Sequence, residues 1–263
     1  MFFGGAYPDP IAFQVGAFGI HWYAIIIILG IFTGFWIVKS LANKADISED
    51  LIWNFILYTI PAALIGGRLV FVLSHSSQFT SVVDTLKVWE GGISSHGVIG
   101  AGIIVAYVIV RSHKVSFFKF TDVLVPGIAI AQAIGRWGNY INQEAFGPPT
   151  EVWWAVPINM VYRPVEYIAS THFHPTWLYE SLWNIVIFVT LYFLFKKLFN
   201  RPGLLTTLFF ILYYVGRFAL DFIRTDSVQA GLLTATQWVS VVVVIAALFF
   251  ILRKKKLSTN QPS

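Results

Sequence analysis

Apolar positions in this chain fall into seven long runs, at 18–38, 52–73, 92–110, 120–134, 177–195, 203–223 and 232–252. A bilayer core about 30 Å thick is crossed by about 20 apolar residues in helix. The pattern therefore predicts an all-α integral membrane protein with seven transmembrane helices. The fourth run is short and interrupted by Pro126 and Gly127, which makes it the weakest of the seven. The longest polar connection, 135–175, is rich in Gly, Pro and Trp and predicts a small external cap between spans four and five. A second outer loop is expected over 74–90. No internal repeat or low-complexity stretch stands out, so 1–263 reads as a single polytopic membrane domain.

Composition agrees. The 263 residues are 57% apolar and 12% charged, about half the charge of a soluble globular domain, which excludes intrinsic disorder and a water-soluble enzyme. The net charge of +5 does not mark a nucleic-acid binder, because the basic residues do not cluster on one soluble face. They cluster by side of the membrane instead. Lys39, Lys44, Arg111, Lys114, Lys119, Lys196, Lys197, Arg201, Arg253, Lys254, Lys255 and Lys256 all fall on one side of a seven-span chain. Lys87, Arg163 and Arg224 fall on the other. The positive-inside rule then puts the N-terminus outside and the C-terminus in the cytoplasm. The RKKK tail reads as a topology anchor facing anionic head groups. The first 17 residues carry neither a basic region nor a small-residue cleavage site, so no removable signal peptide is expected. The chain has no Cys, and so no disulfide, thiolate metal site or cysteine nucleophile of its own.

Charge inside a span costs several kcal/mol unless partnered, so each ionisable residue there is a candidate for function. They are Arg68, His96, Asp122, Arg136, Glu180, Arg217, Asp221 and Arg224. Arg217, Asp221 and Arg224 are spaced i, i+4 and i+7, which places them on one helical face with Tyr213 a turn before. That face is either an intrahelical ion-pair ladder or a cationic pocket in which one acid holds two guanidinium groups. Two Arg to one Asp leaves positive charge suited to a phosphate.

The densest polar segment is GRWGNYINQEAFG, 135–147, which presents Arg136, Asn139, Asn142, Gln143 and Glu144 between glycines. It reads as a loop wrapping a polar head group at the membrane surface, or as an ordinary interfacial loop with Trp137 and Tyr140 in an aromatic belt. His96, in GGISSHGVIG, is either a buried hydrogen-bonded histidine or a general base. Ser94 and Ser95 beside it invite a third reading, a serine nucleophile. Tyr23 is an interfacial aromatic or a site residue. His172 and His174 make an H-x-H pair without a third ligand nearby, too little for a zinc site, so no metal is expected.

These motifs together resemble the prolipoprotein diacylglyceryl transferase family of bacterial membrane enzymes. The resemblance runs nearly end to end, through DPIAFQVG (9–16), HWY (21–23), SHGVIG (95–100), the signature at 135–147, HPTWLYE (174–180), Arg217 and DFIR (221–224). It implies transfer of the diacylglyceryl group of phosphatidylglycerol to the thiol of a lipobox cysteine in a prolipoprotein signal peptide. The products are a thioether and glycerol phosphate, and no cofactor takes part. It also implies a multi-pass protein of the bacterial cytoplasmic membrane, acting as a monomer with its site towards the outer face and its lipid drawn from the bilayer. Carried over by motif, Arg136 binds phosphatidylglycerol, His96 is the base for the thiol and Arg217 is essential. Tyr23, Asp122, Asn139, Glu144, Gly147 and Asp221 fall on other positions important in the family, and Asn142 and Arg224 join them in the expected substrate-binding set. The chain departs from the family pattern at Val98 (commonly Gly), Trp177 (commonly Gln), Asp221 (commonly Glu) and Thr225–Asp226.

Two other functions compete. An intramembrane serine hydrolase would use Ser94 or Ser95 with His96. A secondary transporter would line a pathway with Arg136, Arg217 and Asp221, but the inverted-repeat hydropathy expected of one is missing.

Overall fold

The computed structural model describes residues 7–16, 18–79, 81–88 and 91–259, with side chains for all of these except 18 and 254–259. The side chains of Lys254, Lys255 and Lys256, expected as an anchor, and Glu90, the expected end of the second outer loop, lie outside what is described. Seven helices among the described residues are long and apolar enough to cross a membrane, one for each apolar run.

A short hairpin, β1 (Ile11–Val15) and β2 (Phe18–His21), leads into α1 (Trp22–Lys44) and α2 (Glu49–Ser74). The five-residue α3 (Val82–Leu86) and then α4 (Ser95–Ser112) and α5 (Phe117–Ile141) follow. The cap holds the strand pair β3 (Val156–Pro157) and β4 (His172–Phe173). After it come α6 (Thr176–Leu198), α7 (Leu204–Leu220), the hairpin β5 (Gln229–Ala230) and β6 (Leu233–Thr234), and α8 (Ala235–Thr259). The three antiparallel hairpins are an addition to the all-helical expectation.

The fourth span differs from its expectation. It is an unbroken 25-residue helix that contains Pro126 and runs through Gly135 to Ile141. Proline is tolerated in such a helix when neighbours satisfy the freed backbone. Here Gly127 and Ala131 of α5 meet Gly30 and Gly34 of α1 in backbone contact. A Cβ at Gly34 would lie 2.7 Å from the Gly127 carbonyl oxygen, and one at Gly30 would lie 3.0 Å from that of Ala131. With almost no hydrophobic drive between helices in lipid, such small-residue pairs are what allow close packing.

The chain divides into two compact units, Met1–Ile37 with Leu124–Ser263, and Val38–Val123. The first contains the cap, whose small core is Phe146, Val156, Ile158 and Phe173 with Tyr140 and Tyr167 packed against it. In the second, α2 begins at a Ser48 cap that accepts from Leu51 N–H, with Glu49 and Asp50 in its first turn. It packs on α4 at Gly66, Gly67 and Gly97, where Gly97 touches the Gly66 backbone. The buried Arg68 guanidinium, 8% exposed, closes the loop between them. It donates to the carbonyls of Thr85 (2.8 Å), Asp84 (2.8 Å), Gly91 (2.6 Å) and Gly92 (3.2 Å).

Candidate active site

Three arginines of the larger unit converge on one carboxylate. Glu180 stands in the second turn of α6 and is 3% exposed. Its Oε1 accepts from Arg217 Nη1 at 2.6 Å and from Arg224 Nη1 at 2.7 Å. Its Oε2 lies 2.6 Å from Arg136 Nε, an ion-pair distance, but without the alignment of a directed hydrogen bond. A buried carboxylate is tolerable only when so paired, and each guanidinium in turn is fixed by it.

The sequence spacing assigned this role to Asp221, and here the structure corrects it. The α7 helix ends at Leu220 and continues as a 3-10 turn, Asp221–Ile223, with Arg224 extended beyond it. Arg217 keeps an i, i+4 contact with Asp221 at 3.4 Å. The Asp221 carboxylate otherwise accepts from the hydroxyls of Ser227 and Thr234. Arg224 turns away from it, to Glu180 and to Asp226, which takes Nε at 2.8 Å and Nη2 at 2.5 Å. Burial alone would lower the Arg224 pKa and raise that of Asp226. Their paired hydrogen bonds outweigh it, holding Arg224 above its ordinary value and Asp226 below. With Glu180, Asp221 and Asp226 all close by, the surplus of cations over acids expected from Arg217, Asp221 and Arg224 alone is not what the cluster holds.

The signature segment is part helix. Its first seven residues, 135–141, form the last two turns of α5, correcting the expectation of a loop throughout. Gln143 and Ala145 then turn the chain with φ of 54° and 53°. Glu144 Oε1 ties the turn to the helix by accepting from Asn139 Nδ2 at 2.8 Å and Asn142 Nδ2 at 3.3 Å. Gly147 is where two segments of the chain meet, because a Cβ there would lie 2.5 Å from the Ile223 carbonyl oxygen. Thr225 Oγ1 donates to the Phe146 carbonyl at 3.0 Å. The turn that aims Arg224 is thus seated on the end of the signature.

Arg136 also opens onto a cavity of about 380 Å³ between α1 and α5. Ile27, Ile31 and Ile128 wall its apolar part, while Tyr23, Arg136 and Asn139 line its polar part. Tyr23 lies against Gly138, where its ring leaves no room for a Cβ. Of the predicted site residues, the larger unit therefore gathers Tyr23, Arg136, Asn139, Asn142, Glu144, Gly147, Arg217, Asp221 and Arg224. His96 and Asp122 belong to the other unit. His96 is the second residue of α4, whose start is held by Ser94 N–H donating to the Gly67 carbonyl at 3.0 Å. Asp122 is fully buried near the start of α5. A serine hydrolase would need a seryl hydroxyl bonded to the imidazole, and among the described residues neither Ser94 nor Ser95 makes that bond with His96. His174 meets the Tyr179 hydroxyl at 3.0 Å, and His172 that of Thr171 at 2.8 Å.

Glu180 is the residue that spacing did not assign. It was visible as an acid inside a span, but its partners are 37 and 44 residues away in sequence, beyond any helical period.

Seven helices long and apolar enough to cross a membrane, with three guanidinium groups on one buried carboxylate and an apolar-walled cavity of about 380 Å³ in the larger unit, define a polytopic membrane protein. The family model for prolipoprotein diacylglyceryl transferase matches residues 10–253. The chain is 36% identical over 248 residues to the phosphatidylglycerol–prolipoprotein diacylglyceryl transferase of Thermotoga maritima, covering 93% of this chain and 85% of that protein. It is 36% identical over 249 residues to the protein of that name from Finegoldia magna (94% and 96% covered), and 35% identical over 261 residues to that from Synechocystis (97% and 92% covered). The chain belongs to the prolipoprotein diacylglyceryl transferase family.

Proposed function

We propose that this chain transfers the diacylglyceryl group of phosphatidylglycerol to the lipobox cysteine of prolipoproteins, the first step of bacterial lipoprotein maturation. The observation that carries the reading is the Glu180-bound trio of arginines, one of which, Arg136, lines an isoleucine-walled cavity. A phospholipid needs both halves: apolar walls for its chains and guanidinium groups for its phosphate.

The reaction is displacement at the glycerol carbon that bears the phosphate. The thiol loses its proton to a base, the role given to His96, and the thiolate attacks carbon. The carbon–sulfur bond forms as the carbon–oxygen bond to phosphate breaks, and the electron pair leaves with glycerol phosphate. A free thiol with pKa about 8.5 is mostly protonated at neutral pH, so a base speeds the step. Arg136 and Arg217, fixed beforehand by Glu180, stabilise charge growing on the departing phosphate. Asn139, Asn142 and Glu144 shape the rim with Tyr23, whereas Asp122, near the far end of the same helix as Arg136 and about 21 Å along it, stands outside that set. The excess of basic residues on one side supports an outer N-terminus, and the proposal places the protein in the plasma membrane as a monomer, its site towards the outer face and its lipid drawn from the bilayer.

The test is incubation of purified protein with phosphatidylglycerol and a lipobox peptide, followed by mass spectrometry. The expected result is one diacylglyceryl group on cysteine, lost in Arg136→Ala. Residual activity of His96→Ala that rises with pH assigns the base. No adduct from folded protein in several lipid mixtures overturns the reading.

A further inference from the structure

Beside the arginine cluster is a space of about 10 Å³, lined by Arg136, Glu180, Trp183, Asn184, Tyr213 and Arg217 among others. That is room for a single water-sized group. Asn184, one turn after Glu180 in α6, is 3% exposed. Its Nδ2 donates to the Glu180 carbonyl at 2.8 Å. That bond fixes the orientation of the amide, because only the nitrogen can donate. The other end, Oδ1, is therefore an acceptor, and it is buried without a hydrogen bond. Glu180 Oε2, on the same space, is a second buried acceptor without a directed one. The walls are stiff: Trp183 lies against Gly216, where no Cβ would fit, and its Nε1 donates to the Leu212 carbonyl at 2.9 Å.

A buried acceptor without a partner, as Asn184 Oδ1 is, calls for a donor. We infer that Asn184 recognises a hydroxyl of the lipid's polar head group, reading a neutral polyol phosphate ester against heads that lack the hydroxyl. This rests on the lipid-transfer reading above. Arg136 and Arg217 border the same space, so a phosphate held on their outer nitrogens puts the first atoms of its head group at the mouth. An O–H fits the space and supplies the missing donor. An alkyl head would leave Asn184 Oδ1 unpaired.

The test pairs lipid and protein changes. Wild type, Asn184→Leu and Asn184→Ala are each given phosphatidylglycerol and phosphatidylpropanol, whose head is the same length without hydroxyls. Both leaving groups are phosphate monoesters, so a rate difference reports recognition. Wild type is expected to favour phosphatidylglycerol by tenfold or more in kcat/KM. Both variants are expected to lose that preference while keeping their phosphatidylpropanol rate. Phosphatidyl esters of 1,2- and 1,3-propanediol then identify which hydroxyl is read. Equal loss on both lipids would show that Asn184 only packs or holds a structural water, and would overturn the inference, as would a wild type that does not discriminate. A variant that has lost its fold is recognised by its thermal midpoint in detergent, and the other variant then decides. Absence of transfer from any lipid by the wild type would instead overturn the transferase reading itself.

Discussion

Arg68 and Arg136 are both arginines within apolar helices, and they are held in opposite ways. Arg68 is nearly saturated: four main-chain carbonyls take four of its five N–H donors, and no acid side chain among the described residues pairs with it. Arg136 has one acid, Glu180, reached through Nε, and its side chain is 25% exposed beside an open cavity. A guanidinium whose donors are nearly all spent inside the protein serves to hold the protein together. One fixed at a single corner presents the rest of its fork to a ligand. Satisfaction of donors, more than burial of charge, separates a cation that holds the protein together from one with donors left for a ligand.

The sharpest way to test that contrast is Glu180→Gln. It keeps the shape and leaves three guanidiniums without their shared anion. Loss of a buried ion-pair partner costs about 3–5 kcal/mol, so both transfer activity and the thermal midpoint in detergent are expected to fall steeply. Arg136→Lys comes next. A point charge replaces the planar fork, and kcat/KM is expected to drop by about 10²-fold with little change in melting. Arg68→Met should do the reverse. With four carbonyls unpaired, stability falls by about 3 kcal/mol or more, read as a lower midpoint, while KM for lipid in the folded fraction is unchanged. If Arg68→Met raised that KM as Arg136→Lys does, the contrast would be broken.

The smallest effect is at Asp226. Its carboxyl is held below the ordinary 3.8 by Arg224, so its contribution is present in full above that value and is lost as pH falls through the lower folded one. Asp226→Asn is expected to lower the midpoint by about 1 °C at neutral pH, since the pair is half exposed. The gap to wild type should close only below pH 3.8.

The seven spans were legible because burial in lipid acts on every residue of a run. Their ends were less so. Trp22–Lys44 and Phe117–Ile141 each extend past their apolar run, since polar residues remain helical where the backbone has a partner. Pro126 misled for the same reason: its cost depends on neighbours that the local sequence does not reveal. The clustered arginines were legible from the expense of burying them. Their partner was not, because an i, i+4 spacing favours Asp221 over an acid on another helix. Asp221 turns out to be occupied chiefly by Ser227 and Thr234, hydroxyls that follow it in the chain and whose return to it depends on the β5–β6 hairpin. The hairpins themselves, two to five residues per strand, are too short for alternation to announce them.

The shared carboxylate also constrains how such a protein can change over generations. Where each cation has its own acid, a lineage can swap one pair at a time and pass through working intermediates. Here one substitution at Glu180 strands Arg136, Arg217 and Arg224 together, and no single second substitution rescues all three. Mutational routes away from this arrangement need several coordinated steps, whereas Asp226, serving Arg224 alone, can drift.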